Sequence, residues 1–162
     1  MTQIISAAGV GKATKYGRSC IALSMYGKGK AFVWAYLLVL RQKADEPTQY
    51  VAAHLLGQGF EITLKAFLLF RDYDQYIRTL KPLGHDLVKT AEAVVSAYGL
   101  KQMRPALKAE LEGLSKPYSK HMLRYGNIGD IFIAPASIPH HRVFRRLAAA
   151  IRLAERELSR VG

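Results

Sequence analysis

The sequence predicts an all-α fold, a bundle of helices packed around one strongly apolar central helix. Three observations predict it. From Ala31 onward, apolar residues recur at helical spacing through most of the chain. Prolines and glycines stand where they would open and close such helices, as with Pro47, Pro105, Gly99 and Gly126. One stretch, from Pro47 to Phe70, is apolar around almost its whole circumference, the pattern of a helix enclosed by others.

Residues 1–30 read differently from the rest. Gly9, Gly11, Gly17, Gly27 and Gly29 are spread among small and basic residues with no sustained period. The expectation is a basic, Gly-rich arm or a short hairpin, loosely ordered. Residues 31–162 form one domain, with no internal repeat and no linker. Its first helix is short, Ala31 to Lys43. The second runs from about Pro47 to Phe70, with Asp45 as its cap. Its apolar residues include Val51, Leu55, Leu56, Phe60, Ile62, Leu64 and Phe67. Its one polar stripe is His54, Gln58, Glu61 and Lys65, and Gly57 and Gly59 permit a neighbour to approach closely.

A third helix spans His85 to Tyr98, with Gly99 as its stop. Pro105 opens a short helix to Leu114. Ser115 and Pro117 open another, which Gly126 ends at Tyr125. Asn127 to Pro139 is a loop with room for an extended piece at Ile131–Ala134. The last helix, about His140 to Arg160, places Phe144, Leu147, Ile151, Ala154 and Leu158 on one seam.

Composition excludes some classes. The chain has 162 residues, half of them hydrophobic, enough for one ordinary core. No apolar run reaches the roughly 18–20 residues of a membrane span. The nearest, Ala31 to Leu40, is bounded by Lys28, Lys30, Arg41 and Lys43, and reads as a buried helix or a segment lying on a membrane surface. The N-terminus lacks the organisation of a secretory signal. Cys20 is alone, so no internal disulfide forms, and a cytoplasmic location is expected.

Charge is more informative. Lysines and arginines number 24 against 12 acids, a formal net charge of +12. The first acid is Asp45, preceded by Lys12, Lys15, Arg18, Lys28, Lys30, Arg41 and Lys43. Such a field attracts phosphate polymers and anionic membranes.

Several chemistries lack their residues. Ser6 to Thr14 has a superficial likeness to a phosphate-binding loop. Ser6, however, stands where that loop requires glycine, and Ala13 where it requires a metal-binding hydroxyl. The histidines are His54, His85, His121, His140 and His141. No two lie four apart on a helix and no cysteine pair exists, so neither a metal site nor a cofactor is expected. No Gly-x-Ser-x-Gly elbow is present.

One constellation stands out. Glu61 and Lys65 are four apart on the central helix, in the order that favours an ion pair. The next helix opens with Gly84-His85-Asp86-Leu87, and Leu123-Arg124-Tyr125 follows later. These residues support two readings. One is a satisfied polar network of Glu61, Lys65, His85, Asp86, Arg124 and Tyr125 that fixes one helix against another. The other is a functional centre. His85 and Asp86 also suit a helix start, through capping and the helix dipole.

The runs Gln58-Gly59-Phe60-Glu61 with Leu64-Lys65, then Gly84-His85-Asp86-Leu87, then Leu123-Arg124-Tyr125 resemble the HEPN superfamily. They span about half of the chain, from Ala52 to Tyr125. The resemblance implies a four- to five-helix bundle, often a homodimer, that binds RNA or nucleotides in a defence or toxin–antitoxin setting. Catalytic members are metal-independent endoribonucleases with an arginine, four to six residues, then a histidine. Arg124 has no histidine in the seven positions after it. Arg78 and His85 have six residues between them and are the candidate catalytic pair, although Pro82 and Gly84 interrupt that interval.

The last helix carries a second candidate surface. Arg142, Arg145, Arg146, Arg152, Arg156 and Arg160 fall within a sector of about 120°. Such a face could follow a phosphate backbone. Glu155 and Glu157 are expected to dilute it by pairing within the helix. Tyr16, Tyr26, Tyr118 and Tyr125 are candidates for stacking on bases. The leading expectation is therefore an RNA- or nucleotide-binding module, non-catalytic or weakly catalytic. The alternatives are a metal-independent endoribonuclease and a purely structural domain that docks a partner protein.

Overall fold

The computed structural model describes residues 14–42, 46–123, 138 and 140–159. Among these residues every regular element is a helix: α1 (Lys15–Arg41), α2 (Glu46–Arg71), α3 (Tyr73–Tyr76), α4 (Leu80–Leu83), α5 (Leu87–Ala97), α6 (Pro105–Ser119) and α7 (His141–Ser159). The helical bundle expected from sequence is present; α3 and α4 are single turns between the longer helices.

The expectation of a loose arm over residues 1–30 is corrected from residue 15 onward. α1 begins there, sixteen residues ahead of the expected start at Ala31, and continues unbroken for 27 residues. Thr14 caps it, accepting a hydrogen bond from the Gly17 amide at 3.1 Å. The glycines within α1 have a packing role that a periodicity search misses. A Cβ on Gly29 would lie 2.8 Å from the Thr63 amide nitrogen of α2. Bare glycine lets the two backbones meet, and that contact offsets the helix cost of the residue. Residues 1–13 lie outside the described residues, as does the proposed cap Asp45.

α1 and α2 are antiparallel. Gly29 faces Thr63, Val33 faces Gly59, and Arg18 pairs with Asp74 just past the end of α2. α7 lies along α1, also antiparallel: Tyr36 meets Phe144 at 5.3 Å between ring centroids, and the Tyr26 hydroxyl donates to the Ile151 carbonyl at 3.3 Å. α5 and α6 run against each other, tied by Leu87 to Ser115 and Lys108 to Glu92. The core collects Tyr36, Leu56, Leu68, Leu87, Leu111, Leu114 and Leu147, all at or near zero exposure. α2 contributes to it all along its length, as its apolar circumference predicts.

Two boundaries differ from expectation: no break precedes Ser115, and the helix ends at Ser119 rather than at Tyr125. Residues 105–119 form one helix, where the sequence suggests a break before Ser115. Ser115 does not cap its own helix, because its hydroxyl accepts the Leu87 amide at 3.1 Å and so caps the start of α5. Pro117 is accommodated inside the last turn. α5 ends as expected at Gly99, whose φ of +59° carries the left-handed turn. There the Leu100 amide reaches back to the Val95 carbonyl at 2.9 Å. The loop proposed over Asn127–Pro139 lies outside the described residues except for Ile138, which is buried. No helix among the described residues is long and apolar enough to cross a membrane.

Candidate functional site

The polar stripe of α2 turns inward at Glu61, which is 7% exposed at its side chain. Its neighbours on α2 are apolar, so an unpartnered carboxylate here would be costly. Three groups meet it. The Lys65 ammonium, one turn along α2, donates to Oε1 at 2.6 Å. The Tyr118 hydroxyl, from the last turn of α6, donates to Oε2 at 2.6 Å. His85 Nδ1, just ahead of α5, lies 3.0 Å from the same oxygen. Burial pushes the Glu61 carboxyl up, but the hydrogen bonds from Lys65, Tyr118 and His85 outweigh it and hold the group below the ordinary carboxylate range.

Lys65 has a second partner, the Gly84 carbonyl at 2.6 Å. Gly84 holds φ +55°, a conformation that favours glycine, and this turn aims its carbonyl at the buried ammonium. The expected grouping of Glu61, Lys65 and His85 is thus assembled from α2 and the turn before α5.

Asp86 stands beside the cluster but works elsewhere. Its carboxylate accepts the Val88 and Lys89 amides, each at 3.0 Å, and caps α5. Arg124 and Tyr125, the remaining members of the expected network, lie outside the described residues. Tyr118 and His121 also meet here; the run from Tyr118 to Tyr125 is part of the constellation in sequence, but neither residue is assigned to the network there. Tyr118 was a candidate for stacking on bases, yet it is 2% exposed and fully engaged with Glu61. Tyr26 is likewise core, whereas Tyr16 is exposed. Tyr125 is outside the described residues. The signal for Tyr118 was Gly57. A Cβ there would meet the Tyr118 ring at 2.5 Å, so the glycine and the tyrosine are a packed pair across α2 and α6.

On its solvent side the cluster presents two imidazoles. His85 is 42% exposed at its side chain, and its ring lies edge-on to His121 with centroids 5.1 Å apart. His121 has φ +58°, uncommon for a residue with a Cβ. Because Nδ1 of His85 faces Glu61, Nε2 is the ring nitrogen that the carboxylate does not engage. Arg78 is exposed in the turn between α3 and α4 and makes no ion pair among the described residues. No group of three histidine, cysteine or acidic side chains among the described residues is arranged to hold a metal ion.

The second candidate surface is on α7. Arg142, Arg145, Arg146, Arg152 and Arg156 are all exposed, and Arg160 lies outside the described residues. The side chain of Glu157 lies outside the described residues, and Glu155 has a partner outside α7. It pairs with Lys30 of α1. The start of α7 is held by Glu110, a buried carboxylate that sequence reasoning passed over. It accepts the Val143 amide at 2.9 Å and lies 3.6 Å from Arg142.

The chain matches no family model, no curated protein and no solved structure.

Proposed function

We propose that the protein is an RNA-binding helical module of HEPN-like kind, with α7 as its contact surface. The observation that carries this reading is the set of five exposed arginines along α7 on a chain of net charge +12. Guanidinium groups suit phosphate oxygens, and a row of them tracks a backbone without reading bases. The HEPN likeness would place such a module, often as a homodimer, in a defence or toxin–antitoxin system and would extend its ligands to nucleotides.

The test is a titration with labelled single-stranded RNA across a salt series. Affinity should fall steeply between low and moderate salt, because each phosphate contact releases counterions. Reversing Arg145, Arg152 and Arg156 to glutamate together should weaken binding and flatten the slope. Absence of binding at low salt would favour a domain that docks a partner protein.

A metal-independent endoribonuclease is the second reading, favoured by one observation. His85 is held at Nδ1 by a buried carboxylate while its ring stays accessible beside a second histidine. A carboxylate that fixes one ring nitrogen sets the other for proton transfer.

A further inference from the structure

One opening in the molecule is lined almost wholly by apolar side chains and is unrelated to the polar cluster. A groove of about 600 Å³ lies between α7 on one side and α2 and α5 on the other, its end closed by the segment leading into α6. Packed interiors rarely leave voids much larger than a water molecule. Water gains little here, because the lining offers almost no polar atoms; the Tyr98 hydroxyl already donates to the Phe67 carbonyl at 2.8 Å. The volume falls within the range of small-molecule sites.

Two further features define the occupant. The mouth is apolar, because Phe70, Tyr98, Leu100 and Leu153 line the groove and also reach solvent. Among the described residues that line it, Arg146 is the single charged side chain and none is a carboxylate. A second guanidinium, Arg71, sits 5.7 Å from the centre of the Tyr98 ring, one of the residues at the mouth. An apolar trough with cations only at its edge complements a molecule with a long hydrocarbon body and one anionic head.

We infer that this groove binds a long-chain carboxylate or a similar acyl anion, its chain between α2, α5 and α7 and its head at Arg146. The site is independent of the proposed RNA surface except for Arg146, which borders both.

Isothermal titration of the full chain with dodecanoate and with dodecan-ol of the same length, both below micelle formation, tests this. Displacement of anilinonaphthalene sulfonate provides a second readout. Dodecanoate should bind one to one, and the alcohol at least about tenfold more weakly. Ala150→Trp, which fills the trough from α7, should abolish uptake of both while leaving helix content and RNA binding unchanged. Should that variant fail to fold, Leu153→Glu at the exposed mouth should repel dodecanoate instead. Arg146→Glu should bring dodecanoate down to the level of the alcohol. Failure of the folded wild-type chain to bind dodecanoate would overturn the inference, as would equal binding of the two probes or binding indifferent to every substitution. A dimer that Leu153→Glu dissociates, with no probe uptake, would also overturn it, giving the groove to a second copy.

Discussion

Tyr118 donates its hydroxyl to Glu61 at 2.6 Å, joining the last turn of α6 to the middle of α2. Both side chains are buried, and the remaining bonds of the same carboxylate go to Lys65 and His85. Tyr118→Phe removes one bond and leaves the others, so a loss of about 1–3 kcal/mol is expected. Glu61→Ala leaves the Lys65 ammonium buried without a carboxylate, and about 3–5 kcal/mol should be lost. The double variant should lose less than the two single losses combined, since the sites share a bond. Urea unfolding at neutral pH measures all three. Strict additivity would show that the tyrosine and the carboxylate do not interact in solution.

The depressed carboxyl of Glu61 sets a direction for acid stability. Its folded pKa lies below its unfolded value, because the bonds from Lys65, Tyr118 and His85 favour the charged form. The folded state therefore binds this proton less readily than the unfolded one. The resulting stability is fully present above the unfolded pKa and is lost as pH falls through the folded pKa. Urea midpoints of the wild type should drop through the acidic range, and those of Glu61→Gln should drop less. Parallel curves for the two proteins would remove Glu61 as the source.

Glycine positions in the helices give a packing prediction. At Gly29 an added Cβ would meet the Thr63 backbone at 2.8 Å, and at Gly57 the Tyr118 ring at 2.5 Å. Alanine at either position should cost about 1–3 kcal/mol through overpacking, despite its better helix propensity. Gly27 faces open space, and alanine there should be neutral or stabilising. Thermal melts of the three variants check the order. An equal response at all three would mean that α1 does not pack on α2 and α6 on α2 as described.

These glycines also mark where the sequence was legible. α2 was readable because its apolar residues and its polar stripe follow one helical period, and Asp86 was readable as a cap from local chemistry alone. Glu61, Lys65 and His85 could be grouped from the α2 spacing and the turn after it. α1 was not readable. Gly17, Gly27 and Gly29 look like loop formers in one dimension, and only the approach of Thr63 shows why Gly29 is there. Tyr118 and Glu110 were missed for a related reason. Their partners, Glu61 and the Val143 amide, lie 57 and 33 residues away, and no local pattern encodes contacts at that range. The apolar groove was equally hidden. Leu147 and Ala154 read as a seam for the core, and they pack there, but the helical period does not show that both also border an opening.

The final prediction concerns His85, where scaffolding and catalysis diverge. The ring contributes one bond to Glu61 and an edge contact to Tyr118 at 6.0 Å, yet nearly half of it is accessible. Its removal leaves Glu61 with Lys65 and Tyr118, and leaves the Asp86 cap of α5 intact. His85→Ala should therefore cost only about 1.5 kcal/mol, the low end for a hydrogen bond to a charged group, because water can replace the lost partner. The variant stays folded, so its activity can be read cleanly. As a binding module, it should retain RNA affinity close to that of the wild type, since α7 is untouched. As an endoribonuclease, it should lose metal-independent cleavage, and so should His121→Ala if the two imidazoles share the proton transfers. Arg78→Ala divides the readings further. Arg78 has no partner in the cluster, so cleavage that survives Arg78→Ala and stops with His85→Ala would assign the chemistry to the histidine pair. We expect no cleavage by the wild-type chain, because Arg78 is exposed and no hydrogen bond or ion pair among the described residues fixes it against the cluster to stabilise a phosphorane charge. Purified protein that cuts RNA in the presence of a chelator, and stops cutting in folded His85→Ala, would reverse that expectation.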